Sequence, residues 1–180
     1  MENFIVSLET IFSEQELIMQ INEDGDAIKS LARSEKGAIP VFGRALTPSS
    51  GFVILYYPVR ITEAQRPKVF ELLARLYART PFGNFMYDFE SNLIGLQIYL
   101  HAEDEAVGFD NEEVETQLKF GMMELDVMIP AIQNVTSSQL SPEQAIEQIG
   151  EDDDMPEEKP DLTDPKNRLL DFLPGDPQNN

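Results

Sequence analysis

His101 is the sole histidine and the first candidate for proton transfer. It follows a strand-like run and precedes Glu103-Asp104-Glu105, so a carboxylate-supported general base is conceivable there. No serine or cysteine stands beside it in sequence, and a lone loop histidine is far more often simply solvated. Asn22 to Asp26 resembles a calcium loop at first sight. With Gly25 as the turn glycine, Gln20 falls at the first ligand position and Leu31 at the bidentate one, so the pattern fails at both. Asp152, Asp153 and Asp154 form an acidic run of the kind that is normally only solvated. Gly37, Gly43 and Gly51 are isolated and make no phosphate-cradling loop. Tyr56, Tyr57, Tyr77, Tyr87 and Tyr99 lack the flanking basic residues of a base-stacking platform. The sequence therefore predicts no catalytic, cofactor or metal residues.

The charge balance limits the partners. Thirty-three acidic against 13 basic residues give a net charge of −20, which repels nucleic-acid phosphates and anionic lipid. Cysteine is absent, which excludes disulfides and thiolate metal sites and suits a reducing compartment. The longest apolar run, 52–59, is far short of the roughly 20 residues of a membrane span. The start Met1-Glu2-Asn3 has no basic region, so no secretory signal is expected and the chain reads as cytoplasmic. A hydrophobic share of 42% is enough for one core.

Residues 4–12 could alternate as a strand or open a helix. Ser13 with Glu16 makes a capping box, predicting a helix from Ser13 to near Asn22. Strands are expected over 28–32, 39–46 and 52–60. The third is apolar on both faces and so should be central and covered twice. A helix over 64–79 keeps Lys68, Glu71, Arg75 and Arg79 on one ridge and is apolar elsewhere, about twice the usual stripe. One face can cover the hairpin expected at 85–90 and 93–100. The other asks for a second cover, and Phe70, Leu73 and Tyr77 are the candidate residues for self-association, with Leu73→Asp expected to split a dimer. Asp110 with Glu113 starts a helix over 111–134 that Pro130 should bend. Its second stripe, Phe120, Met123 and Val127, is the candidate contact for a partner or for the chain's own tail. A short helix is expected from Ser141-Pro142 to about Ile149. Beyond it, residues 151–158 form an acidic run expected to be disordered. The run tethers an apolar heptamer containing Leu169, Leu170, Phe172 and Leu173, which looks like a docking segment.

The order helix, three strands, helix, hairpin, helix resembles the YbjN family of small bacterial proteins. The likeness is closest from Thr80 to Val135. It rests on Gly83-Asn84-Phe85-Met86-Tyr87-Asp88-Phe89-Glu90, the apolar return strand, the acidic loop, and the helix ending Ile129-Pro130-Ala131-Ile132. The resemblance implies the fold of type III secretion chaperones, a binding role in a sensory or regulatory setting, dimerisation, and no catalytic residues.

These readings combine into an α+β domain at 1–136, with an antiparallel sheet of about five strands and helices packed on it. Residues 137–180 would be a largely disordered acidic, proline-rich tail with a possible short helix at 165–173. The expected function is non-enzymatic protein binding by a homodimeric, chaperone-like or regulatory adaptor. It would take a segment of another protein and neither nucleic acid nor membrane. The alternative is a small-ligand-binding or hydrolytic protein with a cleft near His101, for which His101→Ala should abolish activity without changing the oligomeric state.

Overall fold

A computed structural model describes residues 3–34, 36–80, 82–102 and 108–152. The first helix, α1 (Phe4–Glu14), resolves the ambiguity at 4–12. Phe4, Ile5, Leu8, Ile11 and Phe12 recur at helical spacing, and all five are buried. Asn3 is the cap, its side chain accepting from the Val6 amide at 3.0 Å. The helix expected from Ser13 to Asn22 does not form. Ser13 lies in the last turn of α1, Glu16 adopts φ 54° and stops it, and the chain leaves as strand β1 (Met19–Ile21).

The remaining elements are β2 (Ala27–Ser34), β3 (Gly37–Thr47), β4 (Ser50–Tyr57), α2 (Arg66–Leu76), β5 (Asn84–Asp88), β6 (Leu93–His101), α3 (Asn111–Thr136) and α4 (Pro142–Asp152). The fold is α+β. Six antiparallel strands lie in the order β1-β2-β3-β4-β6-β5, one more strand than expected because β1 is a strand. Asp110 caps α3, accepting from the Glu112 amide at 2.9 Å. Residues 153–180, including the heptamer with Leu169, Leu170, Phe172 and Leu173 and the short helix expected at 165–173, lie outside the described residues, as do 103–107.

All four helices among the described residues lie on one side of the sheet. A Cβ at Gly43 or Gly51 would come within 2.5 Å of Leu8 or Phe4 of α1, and Gly121 lets α3 settle onto Leu55 and Ile98. Phe70 of α2 meets Tyr87, whose strand partner Ile94 is fully buried on that same face. Between the layers runs one core, from Phe4 and Leu8 through Val53, Leu55, Leu96 and Ile98 to Leu125 and Ile132.

The packed domain extends past the boundary expected at residue 136. Helix α4 crosses both α2 and α3, and its Ala145 and Ile146 are buried in the common core. The Arg79 guanidinium donates to the Ile146 carbonyl at 3.2 Å, and Gln65 donates to the Thr136 carbonyl at 2.8 Å. The second cover that the apolar helix α2 requires thus comes from within the chain.

Candidate functional site: the open face of the sheet

Strand β4 pairs with β3 on one side and β6 on the other, so its expected central place is observed. Successive side chains of a strand point to opposite faces. Gly51, Val53, Leu55 and Tyr57 face the helices, which leaves Phe52, Ile54 and Tyr56 on the other side. No helix among the described residues covers that side. Among the described residues only one of the two expected covers is present, because α1, α2, α3 and α4 share one layer.

The registers show what surrounds β4 on its open side. Phe42 stands opposite Ile54, and Tyr99 opposite Phe52. The rings of Phe42 and Phe52 are 6.2 Å apart and those of Phe52 and Tyr99 are 6.1 Å apart, forming a band across three strands. Tyr99 is 62% exposed, Phe42 and Phe52 are half-buried, and Ile54 is buried between them without any helix above it. The Tyr56 hydroxyl donates to Asp88 at 3.4 Å. Burial and the Asp88 charge push its pKa up to about 12, so it stays a neutral donor.

Gly95 keeps this surface flat. A Cβ there would sit 2.5 Å from the Cγ2 of Ile54 and 3.4 Å from the Tyr56 ring. Gly95→Ala should therefore displace the stiff, β-branched Ile54 and destabilise the protein by about 1–3 kcal/mol, measured by urea unfolding.

The charge of the sheet is the reverse of the chain's. Its six strands hold three basic residues, Lys29, Arg33 and Arg44, and a single acid, Asp88. Lys29 stands opposite Phe42 and Arg44 opposite Phe52, so these cations share the aromatic face. Arg44 also reaches Asp26 in the β1–β2 turn at 3.4 Å. That turn accounts for the calcium-like stretch. The Asn22 side chain accepts from the Asp26 and Ala27 amides and donates to the Asp26 carboxylate, which holds the Asp26 pKa below the usual range. Among the described residues no group of three or more His, Asp or Glu side chains converges to hold a metal.

The residues singled out from the sequence are distributed elsewhere. Leu73 is only 8% exposed and belongs to the core, whereas Tyr77 is 68% exposed and Phe70 39%. Phe70, Tyr87 and Phe89 form a second aromatic group beside edge strand β5, with ring separations from 5.0 to 5.9 Å. Arg66 ties this group to the hairpin turn, donating to the Tyr87 hydroxyl at 3.0 Å and to Asn92 at 2.7 Å. Phe120 is stacked on Phe82 at 4.7 Å, Met123 is half-buried, and Val127 lines a groove of about 110 Å³ with Pro130, Asn134, Gln148 and Ile149. That stripe is thus partly covered by α4 and Phe82. His101 ends β6 and lines a cleft of about 220 Å³ with Tyr99, Phe109, Asp110, Glu113 and Gln117. Among the described residues no hydroxyl other than that of Tyr99 lines that cleft, and the Asp110 carboxylate is engaged as the α3 cap.

Phe42, Phe52, Ile54 and Tyr99 are the site residues that sequence reasoning missed. The signal was visible in the two apolar faces of β4. From sequence alone that pattern calls for a second layer. No protein-family model matches the chain, nor does any curated protein or any solved structure.

Proposed function

We propose that this chain is a non-enzymatic protein-binding module, a regulatory adaptor or chaperone-like protein of the cytoplasm. It accepts an apolar, acidic segment of another protein on the open face of the sheet. The observation that carries the reading is the helix-free aromatic band Phe42–Phe52–Tyr99 with buried Ile54 among it. An antiparallel sheet with one wet face ordinarily alternates apolar inside with polar outside. Here half-buried Phe42 and Phe52 join exposed Tyr99 in one apolar patch instead, the kind of feature that marks interaction surfaces. Lys29 and Arg44 beside the band, with Arg33 farther along β2, favour an acidic ligand and would speed encounter with one. The resemblance to the YbjN group and to secretion chaperones points the same way. Among the described residues no helix is long and apolar enough to cross a membrane.

Dimerisation through α2 does not carry this proposal, because Leu73, the centre of the expected contact, is in the core. The test is affinity capture from native lysate with the full chain beside Tyr99→Glu. Tyr99 is largely exposed, so the variant should keep its circular-dichroism spectrum and melting profile. Removing an aromatic anchor and adding a like charge should weaken retention of any discrete partner about tenfold. Equal retention by both proteins would overturn this face as the site.

A further inference from the structure

We infer that the open sheet face is occupied in the same molecule by the chain's own C-terminal segment, the apolar heptamer with Leu169, Leu170, Phe172 and Leu173. The inference rests on the reading of that face as a binding surface, and it names the first ligand. Three observations support it.

The first is charge. The face is the basic part of a strongly acidic chain, with Lys29 and Arg44 beside the aromatic band and Arg33 farther along β2, opposite Ala38. The segment that leads to the heptamer carries Asp153, Asp154, Glu157, Glu158, Asp161 and Asp164 against Lys159 and Lys166, and the heptamer itself, with Arg168 and Asp171, adds no net charge. A second copy of the face would instead oppose the same three cations to themselves. Like charges juxtaposed across an interface are costly.

The second is hydrophobic match. Leu169, Leu170, Phe172 and Leu173 lie within five consecutive positions, so an extended or helical segment can set several of them on the band.

The third is reach. Helix α4 ends at Asp152 on the helical side, with Ile149 beside Val127 and Pro130 of α3. From Asp152 to Asp164 an extended chain spans about 40 Å. The sheet is roughly 24 Å wide from edge to edge, and its layer lies about 10 Å from the helices. The tether can therefore round the sheet edge and deliver the heptamer to the band. A tether of this length gives an effective concentration of order millimolar, enough to fill a weak site within one molecule. An outside ligand would then have to displace the tail.

The chain contains no tryptophan, which makes a clean probe available. In the full chain, Phe172→Trp should show blue-shifted emission that is protected from iodide and independent of protein concentration. Tyr99→Glu added to it should shift the emission to that of solvent-exposed tryptophan, and Arg44→Glu should move it in the same direction. Emission typical of exposed indole in the single variant would overturn the inference. So would buried emission unaffected by Tyr99→Glu and Arg44→Glu, which would place the tail on another surface, such as Phe120 and Met123. Buried emission that appears only as concentration rises would assign the face to a second copy. If the inference fails while lysate capture still depends on Tyr99, the face binds other proteins but not the tail. If capture is also indifferent to Tyr99, the binding reading itself fails.

Discussion

Leu73→Asp is expected to unfold the domain, not to divide a dimer. Leu73 is 8% exposed and shares one core with Val69, Leu72 and Leu76 of its own helix and with Ala145 and Ile146 of α4. An aspartate there loses the leucine's burial, about 2 kcal/mol or more, and must either hold an unpaired charge in an apolar site or bind a proton. The sum is of order 4 kcal/mol or more, against a total stability of about 5–15 kcal/mol for an ordinary domain. Thermal unfolding followed by circular dichroism should show the cooperative transition lost or moved far down. Tyr77→Asp on the same helix is the control. Its ring is 68% exposed, so the expected change is within about 0.5 kcal/mol. A folded Leu73→Asp protein of normal melting temperature and halved mass would return Leu73 to an intermolecular contact.

The contrast between those two positions shows what was legible in the sequence. The excess apolar surface of α2 was readable from periodicity alone, and it does require a second cover. Periodicity reports how much surface must be buried and says nothing of what buries it. The cover, α4, is a short segment whose capping signal Ser141-Pro142 was visible, and Ser141 does accept from the Gln144 amide at 3.3 Å. Its place across α2 and α3 depends on long-range packing that no local pattern encodes. The same limit explains the first helix. Ser13 and Glu16 satisfy a capping box, but Asn3 caps a helix whose five buried apolar residues outweigh it. Strands and turns read more easily, since Gly25 at φ 70° and Asn92 at φ 59° sit at the turns their residue types suggested.

The candidate site was half legible for a related reason. Alternation in β4 identified Phe52, Ile54 and Tyr56 as a second apolar face. Whether such a face is covered by a helix or left open depends on which side each crossover takes. Here every helix returns to the side of Leu8, Phe4 and Gly121. The basic bias of the strands was also present in the sequence. It becomes informative only when the registers place Lys29 and Arg44 beside Phe42 and Phe52.

Glu124→Gln is expected to stabilise the protein above neutral pH and to change little in mild acid. Glu124 lies in α3 with 2% exposure, and neither carboxylate oxygen meets a full hydrogen bond among the described residues. Burial pushes its pKa up to about 7, offset only in part by the backbone amide of Phe82. In the unfolded chain the same group titrates near 4.5. Between those two values the folded state holds a proton that the unfolded state has released, so stability falls as pH rises through the window. Below 4.5 both states are protonated and no penalty exists; above 7 both are ionised and the penalty is complete. At about 1.4 kcal/mol per unit of pKa difference the full penalty reaches up to about 3 kcal/mol. The glutamine keeps the shape and cannot ionise. Urea unfolding of both proteins across the pH range should give curves that coincide near pH 4.5 and separate toward pH 7.5, with the variant the more stable. The difference isolates Glu124 from Asp88, whose pKa is lowered first by the Ser91 hydroxyl and which acts in the opposite sense, losing stability only at lower pH. A gap independent of pH would mean that Glu124 is already ionised and solvated in the folded protein.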